Sequence, residues 1–175
     1  MKRLTSLLLA LVLIGAACGD DAPAGPTTTA DTGFPVVVRG TTIDASPDRI
    51  VSASPTHTEI LFALGAGDRV VAVDDFSDFP AEAAPLPHFD AFNASVEGIA
   101  GFDPDLVILA FDPGDVASGL AALGIATIVF APPPVTLDEA YAEWSEVGDA
   151  VGVSAESLID ETRDVIATIV AQVHT

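Results

Sequence analysis

Hydroxyl, imidazole, carboxylate and aromatic side chains cluster at two places where apolar segments of the sequence end. Ser54-Pro55-Thr56-His57 follows the β-branched run Arg49–Ala53, and Asp74–Phe79 follows the apolar run Val70–Val73. The carboxyl ends of parallel strands form the ligand side of an α/β sheet, so we expect the two segments to lie close together. Their chemistry is that of binding, through hydrogen bonds and aromatic contacts.

The candidate ligand-binding residues combine short polar side chains with phenylalanines. Aromatic side chains hold flat apolar ligands in clefts that are mostly apolar. Helix capping, ordinary core packing and solvated loop aspartate are the competing explanations for individual members. The candidates are Ser54, Pro55, Thr56, His57, Phe76, Asp78, Phe79, Phe92, Phe111 and Asp112.

The elements that position these residues alternate between strand and helix. Four near-continuous apolar runs predict parallel strands covered on both faces, and two β-rich runs around Gly40 predict a hairpin at the edge of the domain. We therefore predict a three-layer, Rossmann-like α/β lobe with a mainly parallel four-stranded sheet, an edge hairpin and a long C-terminal helix. The predicted strands are Arg49–Ala53, Val70–Val73, Asp105–Ala110 and Ala126–Phe130.

Helix boundaries follow from capping residues and glycines. The first helix begins either at Ser54, with Pro55 in its first turn, or at Thr56, with Glu59 completing a capping box. A later helix is predicted over Leu137–Val147, with Gly148–Gly152 as a break, and the last helix begins near Ala155. Between the second and third strands, the proline-rich stretch from Phe76 to Ala94 is predicted to be a long functional loop.

The first residues are typical of an export signal. A basic start precedes the uncharged run Leu4–Ile14, and Gly15-Ala16-Ala17-Cys18 follows. This layout is too short for a confident membrane span. Because the small residues before Cys18 resemble a bacterial lipobox, we predict a lipoprotein signal peptide over residues 1–17 and a flexible tether over residues 18–33. An ordinary signal peptide with an incidental cysteine is the alternative.

Charge and motifs exclude several functions. Six basic residues stand against 26 acidic residues, which gives a formal net charge of −20, and nucleic-acid binding needs a basic surface. No G-x-S-x-G, phosphate-binding glycine loop or H-E-x-x-H motif is present. The histidines His57, His88 and His174 are far apart in sequence. A Zn²⁺ or Mn²⁺ site would need His57 and His88 to converge.

Three segments together resemble a known family. RIVSASPTHTEILFALGAGDRVVAVDDFSDFP, SVEGIAGFDPDLVILA and LAALGIATIVFAPPP are similar to the amino-terminal lobe of ABC-importer substrate-binding proteins for cobalamin, haem and iron-siderophores. The resemblance implies a substrate-binding lobe over residues 34–153 and the start of an inter-lobe helix over residues 154–175. It also implies that the sequence contains only one of the family's two lobes, as expected for a truncated or split gene or a fragment.

The same resemblance implies a role and partners. DDFSDFP is similar to the segment that lines the corrin site in cobalamin-binding members, which favours cobalamin over haem or a ferric siderophore as the transported ligand. Glu97 matches an acidic residue that docks on the ABC permease, which acts with its ATPase. Cys18 matches a lipid-modified cysteine, so we expect an exported protein anchored on the outer side of the cell membrane. No enzymatic activity and no resident cofactor are implied. The alternatives are a Zn²⁺ or Mn²⁺ receptor of the same fold and a tethered acidic interaction module.

Overall fold

Strand and helix alternate along most of residues 33–173, the part of the chain that the computed structural model describes. The predicted signal peptide, Cys18 and almost all of the predicted tether lie outside these residues, as does His174. The strands are β1 (Val36–Val38), β2 (Thr41–Ile43), β3 (Ile50–Ala53), β4 (Val70–Asp74), β5 (His88–Phe89), β6 (Leu106–Leu109) and β7 (Ala126–Val129). The helices are α1 (Pro55–Ala63), α2 (Val96–Ala100), α3 (Val116–Ala122), α4 (Leu137–Val151) and α5 (Glu156–Val173), with a 3₁₀ turn at Gly67–Arg69.

The central sheet has the order β5-β4-β3-β6-β7, and every neighbouring pair is parallel. The α/β class and the parallel sheet are confirmed, but the predicted number of four strands is wrong for the described residues. The fifth strand lies within the long loop, where His88 pairs with Val73 and Phe89 pairs with Asp74. Two residues are too few to show the period of a strand, which is why the sequence pattern missed it.

Helices cover both faces of the sheet because successive strand residues point in opposite directions. Ile50 and Ile108 pack with apolar side chains of α1 and α4 on one face. Val51 and Leu109 pack with those of α2 and α3 on the other face. All four strand residues are almost completely buried. The two cores make the predicted three layers.

The predicted edge hairpin is a separate two-stranded sheet. β1 and β2 pair antiparallel, with Val36 opposite Ile43. The turn contains Arg39 and Gly40, both with positive φ. The hydroxyl of Thr41 donates to the backbone oxygen of Thr127 at 2.6 Å, so the hairpin lies beside β7.

α4 differs from its predicted extent of Leu137–Val147, whereas α5 begins where the last helix was predicted, near Ala155. α4 continues through Gly148 to Val151 and ends at Gly152, which has a φ of 72°. A Cβ on Gly148 would lie 2.4 Å from the backbone oxygen of Val153. Gly148 therefore permits a close approach within the helix and is not its end, because a glycine inside a helix can serve packing instead of termination.

α5 packs on the lobe through its first turns, where Ile159 is buried against α4. Of its later apolar residues, Val165 and Ile169 are more than half exposed. Within residues 33–173, no helix combines the length and apolarity needed to cross a membrane.

Candidate functional site

The turn between β3 and α1 forms the first part of the site. Ser54 has an extended backbone, and its hydroxyl accepts a hydrogen bond from the backbone N–H of His57 at 3.3 Å. Pro55 occupies the first turn of the helix, where a missing N–H is tolerated. The Ser54 alternative for the helix start is confirmed, and the Thr56 alternative is wrong.

An apolar groove of about 410 Å³ opens at the carboxyl ends of β3, β4 and β6. This is the side of a parallel sheet where ligands bind. Small alanines form much of its floor, and three phenylalanines form its walls. The lining residues are Ala53, Ser54, Pro55, Asp74, Phe76, Ala91, Phe92, Ala110 and Phe111.

The three phenylalanines form one continuous aromatic wall. The Phe92 ring lies 5.3 Å from that of Phe111 and 6.2 Å from that of Phe76, the latter in an edge-to-face arrangement. Phe76 and Phe92 are 64% and 63% exposed, respectively. Exposed aromatic side chains in a contiguous patch commonly mark a binding surface, because burying them on a ligand removes apolar area from water.

A buried hydroxyl cluster, Ser52, Thr58, Asp74 and Ser77, supports the groove from below. Thr58 Oγ1 lies 2.9 Å from Ser52 Oγ and 3.0 Å from Ser77 Oγ. Ser77 Oγ in turn donates to the Asp74 carboxylate. Because Asp74 also accepts from the backbone N–H of Phe76 at 3.4 Å, the cluster fixes the start of the loop that carries this aromatic ring.

A second buried group, the histidine cluster, contains Ser54, His57, Glu143 and Arg39. His57 is 2% exposed, and its Nδ1 lies 2.7 Å from Ser54 Oγ. Its Nε2 lies 3.3 Å from Glu143 Oε1 but makes no hydrogen bond. The His57 ring packs on Phe130 at 4.6 Å. His57 thus faces α4 and not the groove, and it reaches the groove only through Ser54.

Burial determines the protonation of the histidine cluster. Desolvation and, to a lesser extent, the charge of Arg39 lower the pKa of His57 from 6.5 to about 4. Desolvation raises the pKa of Glu143, although Arg39 opposes that shift. The lowered pKa of His57 and the raised pKa of Glu143 both favour the neutral side chain, as expected for ionisable groups removed from water.

Sequence comparison identifies the family. A model described as "Periplasmic binding protein" matches residues 50–174. The chain belongs to this periplasmic binding protein family. It is 37% identical over 95 residues to a vitamin B12-binding protein of Yersinia pestis (strain Pestoides F), a match covering 53% of this chain and 33% of that protein.

Solved structures place the lobe among similar periplasmic binding proteins. The haem-binding protein RhuT of Roseiflexus sp. RS-1 matches with a TM-score of 0.63 and 35% identity, over 69% of this chain and 48% of that one. The vitamin B12-binding protein BtuF of Vibrio cholerae matches with a TM-score of 0.56 and 29% identity, over 73% and 51%. The chain thus spans about a third to a half of the length of these relatives.

The groove of this periplasmic binding protein brings together half of the predicted ligand-binding residues. Ser54, Pro55, Phe76, Phe92 and Phe111 line it. Their contact with ligand stays a prediction.

The other predicted residues lie outside the groove lining. Thr56 and Asp78 are exposed, and one oxygen of Asp112 accepts from the backbone N–H of Ala117 at 3.2 Å. Phe79 contributes to a different groove, with Glu59 and Phe62. The backbone N–H of Ser77 donates to the backbone oxygen of Asp74 at 3.1 Å and closes a turn that contains Phe76, whereas Phe79 follows this turn.

The structure also adds residues that sequence reasoning did not select. Ala53, Ala91 and Ala110 line the groove because a small side chain at each strand end or loop leaves space beside the phenylalanines. Asp74 lines it as the last residue of β4. The position of Asp74, directly after an apolar strand, was an available signal, whereas alanine carries none.

His57 and His88 do not converge as the alternative of a Zn²⁺ or Mn²⁺ receptor required. His57 is buried against α4, whereas His88 lies on the edge strand with Nδ1 3.0 Å from the backbone oxygen of Asp74. Within residues 33–173, no group of three or more histidine, cysteine or acidic side chains is placed to hold a metal ion.

Proposed function

We propose that this chain provides the amino-terminal lobe of an exported solute receptor for an ABC importer, with cobalamin as the transported ligand. The observation that carries the proposal is the groove walled by Phe76, Phe92 and Phe111 at the carboxyl ends of three parallel strands. A corrin is broad, flat and largely apolar on its faces, so it complements such a wall. The identity of 37% to vitamin B12-binding proteins supports this ligand.

The composition of the groove favours cobalamin over haem or a ferric siderophore. None of the groove residues is a histidine, tyrosine, methionine or cysteine, the residue types that usually ligate haem iron. Cobalamin carries its own axial ligands and needs none from this wall. Haem remains the second candidate, because the Roseiflexus structure at 35% identity is that of a haem-binding protein.

Charge gives an independent argument about the ligand. The four arginines in the described part of the chain all engage other groups. Arg39 pairs with Glu146, Arg49 with the backbone of Phe102 and Asp103, Arg69 with that of Pro47 and Val151, and Arg163 with Asp160. An anionic chelate would therefore find no available arginine at the groove, whereas the amide-rich periphery of cobalamin needs no counter-charge.

Delivery to the importer is assigned to a separate surface. Glu97 is exposed on α2, whose first turn is capped by Ser95 through the N–H of Gly98 at 3.1 Å. A carboxylate presented in this way can register against permease arginines through charge-assisted hydrogen bonds. Lipid attachment at Cys18 would hold the receptor near that permease. A Zn²⁺ or Mn²⁺ receptor would need a ligand set that the described histidines do not form, and a tethered acidic module would leave the aromatic wall without a role.

Calorimetric titration of the full chain carrying Cys18→Ser with cyanocobalamin, haemin and Zn²⁺ tests the proposal. We expect heat with cyanocobalamin and a Kd in the micromolar range or weaker, because one wall covers only one side of a ligand. This Kd corresponds to a binding free energy of about −8 kcal/mol or weaker. No heat with any of the three at about 0.1 mM protein would exclude a receptor function for this lobe.

Two phenylalanine substitutions provide a matched pair. Phe92→Ala removes the centre of the aromatic wall and should weaken cyanocobalamin binding roughly tenfold, given about 0.5–1.5 kcal/mol for aromatic contacts in addition to lost burial. Phe79→Ala is the control, because Phe79 is equally exposed, at 64%, but lies outside the groove. Equal losses in the two variants would show that the aromatic wall is not the binding surface.

A further inference from the structure

Ser54 lies between the groove and the histidine cluster. Ser54 lines the groove, and its Oγ lies 2.7 Å from His57 Nδ1. The same oxygen accepts from the backbone N–H of His57 at 3.3 Å. On the far side of the imidazole, Nε2 faces Glu143 Oε1 at 3.3 Å. A hydrogen bond between Ser54 and His57 and a 3.3 Å contact between His57 and Glu143, which is not a hydrogen bond, therefore link a buried carboxyl group to the groove lining.

The proton count of the His57–Glu143 pair determines which way the Ser54 hydroxyl points. When Glu143 is a carboxylate and His57 is neutral, the imidazole proton belongs on Nε2, facing the negative oxygen. Nδ1 is then an acceptor, and Ser54 must donate its only hydroxyl proton to it. In this state the groove receives no donor from Ser54.

One added proton allows this bond to reverse, whether the proton settles on Glu143 or on His57. If Glu143 becomes a carboxylic acid, its negative charge no longer holds the imidazole proton on Nε2, and that proton can occupy Nδ1. If His57 becomes an imidazolium, Nδ1 also carries a proton. In both cases Nδ1 donates to Ser54 Oγ, and the hydroxyl proton of Ser54 is released for an acceptor on the groove side.

We propose that His57 and Glu143 are positioning residues that control the hydrogen-bonding character of the groove: one proton taken up by the pair converts Ser54 into a donor for a ligand oxygen. This inference rests on the proposed ligand-binding function of the groove. Its consequence is tighter binding of amide- or carboxylate-bearing ligands on acidification, with no change in the aromatic wall.

Burial, more than the surrounding charges, determines which group takes up the proton first. Arg39 faces Glu143 at 3.8 Å from the hairpin turn, and Glu146 on α4 pairs with Arg39 at 2.7 Å. Phe130 covers the imidazole from the end of β7 and carries no charge. Burial raises the pKa of Glu143 and lowers that of His57. Glu143 is thus protonated first as the pH falls.

Long-range ¹H–¹⁵N NMR of the ¹⁵N-histidine-labelled full chain with Cys18→Ser tests the relay without any ligand. The chain has three histidines, and the loss of one set of signals in His57→Phe assigns His57. We expect a proton on Nε2 at pH 8 and a proton on Nδ1 at mildly acidic pH. Glu143→Gln should remove this pH-dependent change, since an amide does not titrate there. An Nδ1 proton throughout the range in the unmodified cluster overturns the proposal.

Cyanocobalamin titrations at pH 8 and pH 5 test the consequence at the groove. Its corrin amides do not titrate in this range, so a change in affinity reports on the protein. We expect about two- to tenfold tighter binding at pH 5, the range of one added hydrogen bond. Ser54→Ala should abolish the difference, and Ser54→Thr, which keeps the hydroxyl, should retain it.

The two measurements separate the failure of the relay from the failure of the proposed function. A proton shift on His57 without cyanocobalamin binding would refute the proposed function and leave the relay intact. Binding with the same affinity at both pH values, or with the pH dependence retained in Ser54→Ala, would refute the role of Ser54. Thermal unfolding of each variant identifies any that fail to fold.

Discussion

The hydroxyl cluster and the histidine cluster lie on opposite sides of the first turn of α1, and their hydrogen bonding differs. In the hydroxyl cluster, Thr58 contacts Ser52, Ser77 and the backbone oxygen of Ser54 within 3.0 Å. In the histidine cluster, Nε2 of His57 is the single buried side-chain nitrogen or oxygen in the described residues that lacks a hydrogen bond.

The two clusters therefore differ in what they do: the hydroxyl cluster fixes the local geometry, whereas the histidine cluster responds to pH. A fully bonded polar network in the interior holds one geometry, because each group would be left unsatisfied by movement. A buried pair of ionisable groups has more than one proton arrangement and responds to pH. Ser54 contacts the hydroxyl cluster through its backbone oxygen and belongs to the histidine cluster through its hydroxyl. The hydroxyl cluster therefore fixes the position of Ser54 in the groove, and the histidine cluster makes its hydrogen bonding depend on pH.

The largest expected effect concerns the histidine cluster and acid stability. The pKa of His57 is depressed to about 4 in the folded protein, compared with 6.5 when unfolded. Because the unfolded chain then binds the proton more tightly, stability falls as the pH drops from about 6.5 towards 4. At 1.36 kcal/mol per pKa unit, the loss relative to a chain without this histidine is about 3 kcal/mol at pH 4.

His57→Phe provides that comparison, because a flat apolar ring can still pack on Phe130. Urea unfolding at pH 7 and pH 4 should show a larger loss of stability in the natural chain than in the variant. Protonation of Glu143 relieves its burial penalty and opposes this trend in both proteins, so only the difference between them isolates His57. Equal pH dependence in the two would mean that His57 is not held neutral by burial.

The sequence made most of the lobe predictable because its elements have local signals. Ser54-Pro55 marks the start of α1, and the β-branched and aliphatic runs mark β3, β4, β6 and β7. The aromatic wall was partly predictable as well, since Phe76, Phe92 and Phe111 follow strands or lie in the long loop. These features depend on residues that are close together in the sequence, so a single sequence is enough to predict them.

What escaped prediction depends on contacts between residues distant in sequence. His57 and Glu143 are separated by most of the lobe and meet only because α4 packs beside α1. A histidine in the first turn of a helix has no local signal that distinguishes the groove side from the α4 side. The side of the loop on which Phe79 lies was similarly ambiguous. The path of this loop depends on Ser77, whose hydroxyl contacts Thr58 and Asp74.

An intermediate effect tests the completeness of the hydroxyl cluster. Thr58→Val keeps the shape of the side chain but leaves Ser52 and Ser77 without their shared partner. We expect a loss of about 1–3 kcal/mol in unfolding free energy at pH 7, the range for unsatisfied buried polar groups. The matched control is Thr168→Val on the exposed part of α5, which should change stability by at most about 0.5 kcal/mol. Similar losses in both variants would contradict the proposed supporting role of the cluster.

The smallest effect concerns the charge that links the hairpin turn to the histidine cluster. Arg39 pairs with Glu146 at 2.7 Å, lies 3.8 Å from Glu143 and covers the Phe130 ring at 4.5 Å. In Arg39→Gln, loss of the positive charge should raise the pKa values of both His57 and Glu143, because Arg39 lowers each of them. The unfolding free energy should fall by only about 0–1 kcal/mol, as is usual for an ion pair near the surface. NMR titration of the His57 ring measures the shift, with Arg163→Gln as the control for a distant arginine. If His57 titrated identically in both variants, the hairpin would not be coupled to the groove, and burial alone would account for the behaviour of the cluster.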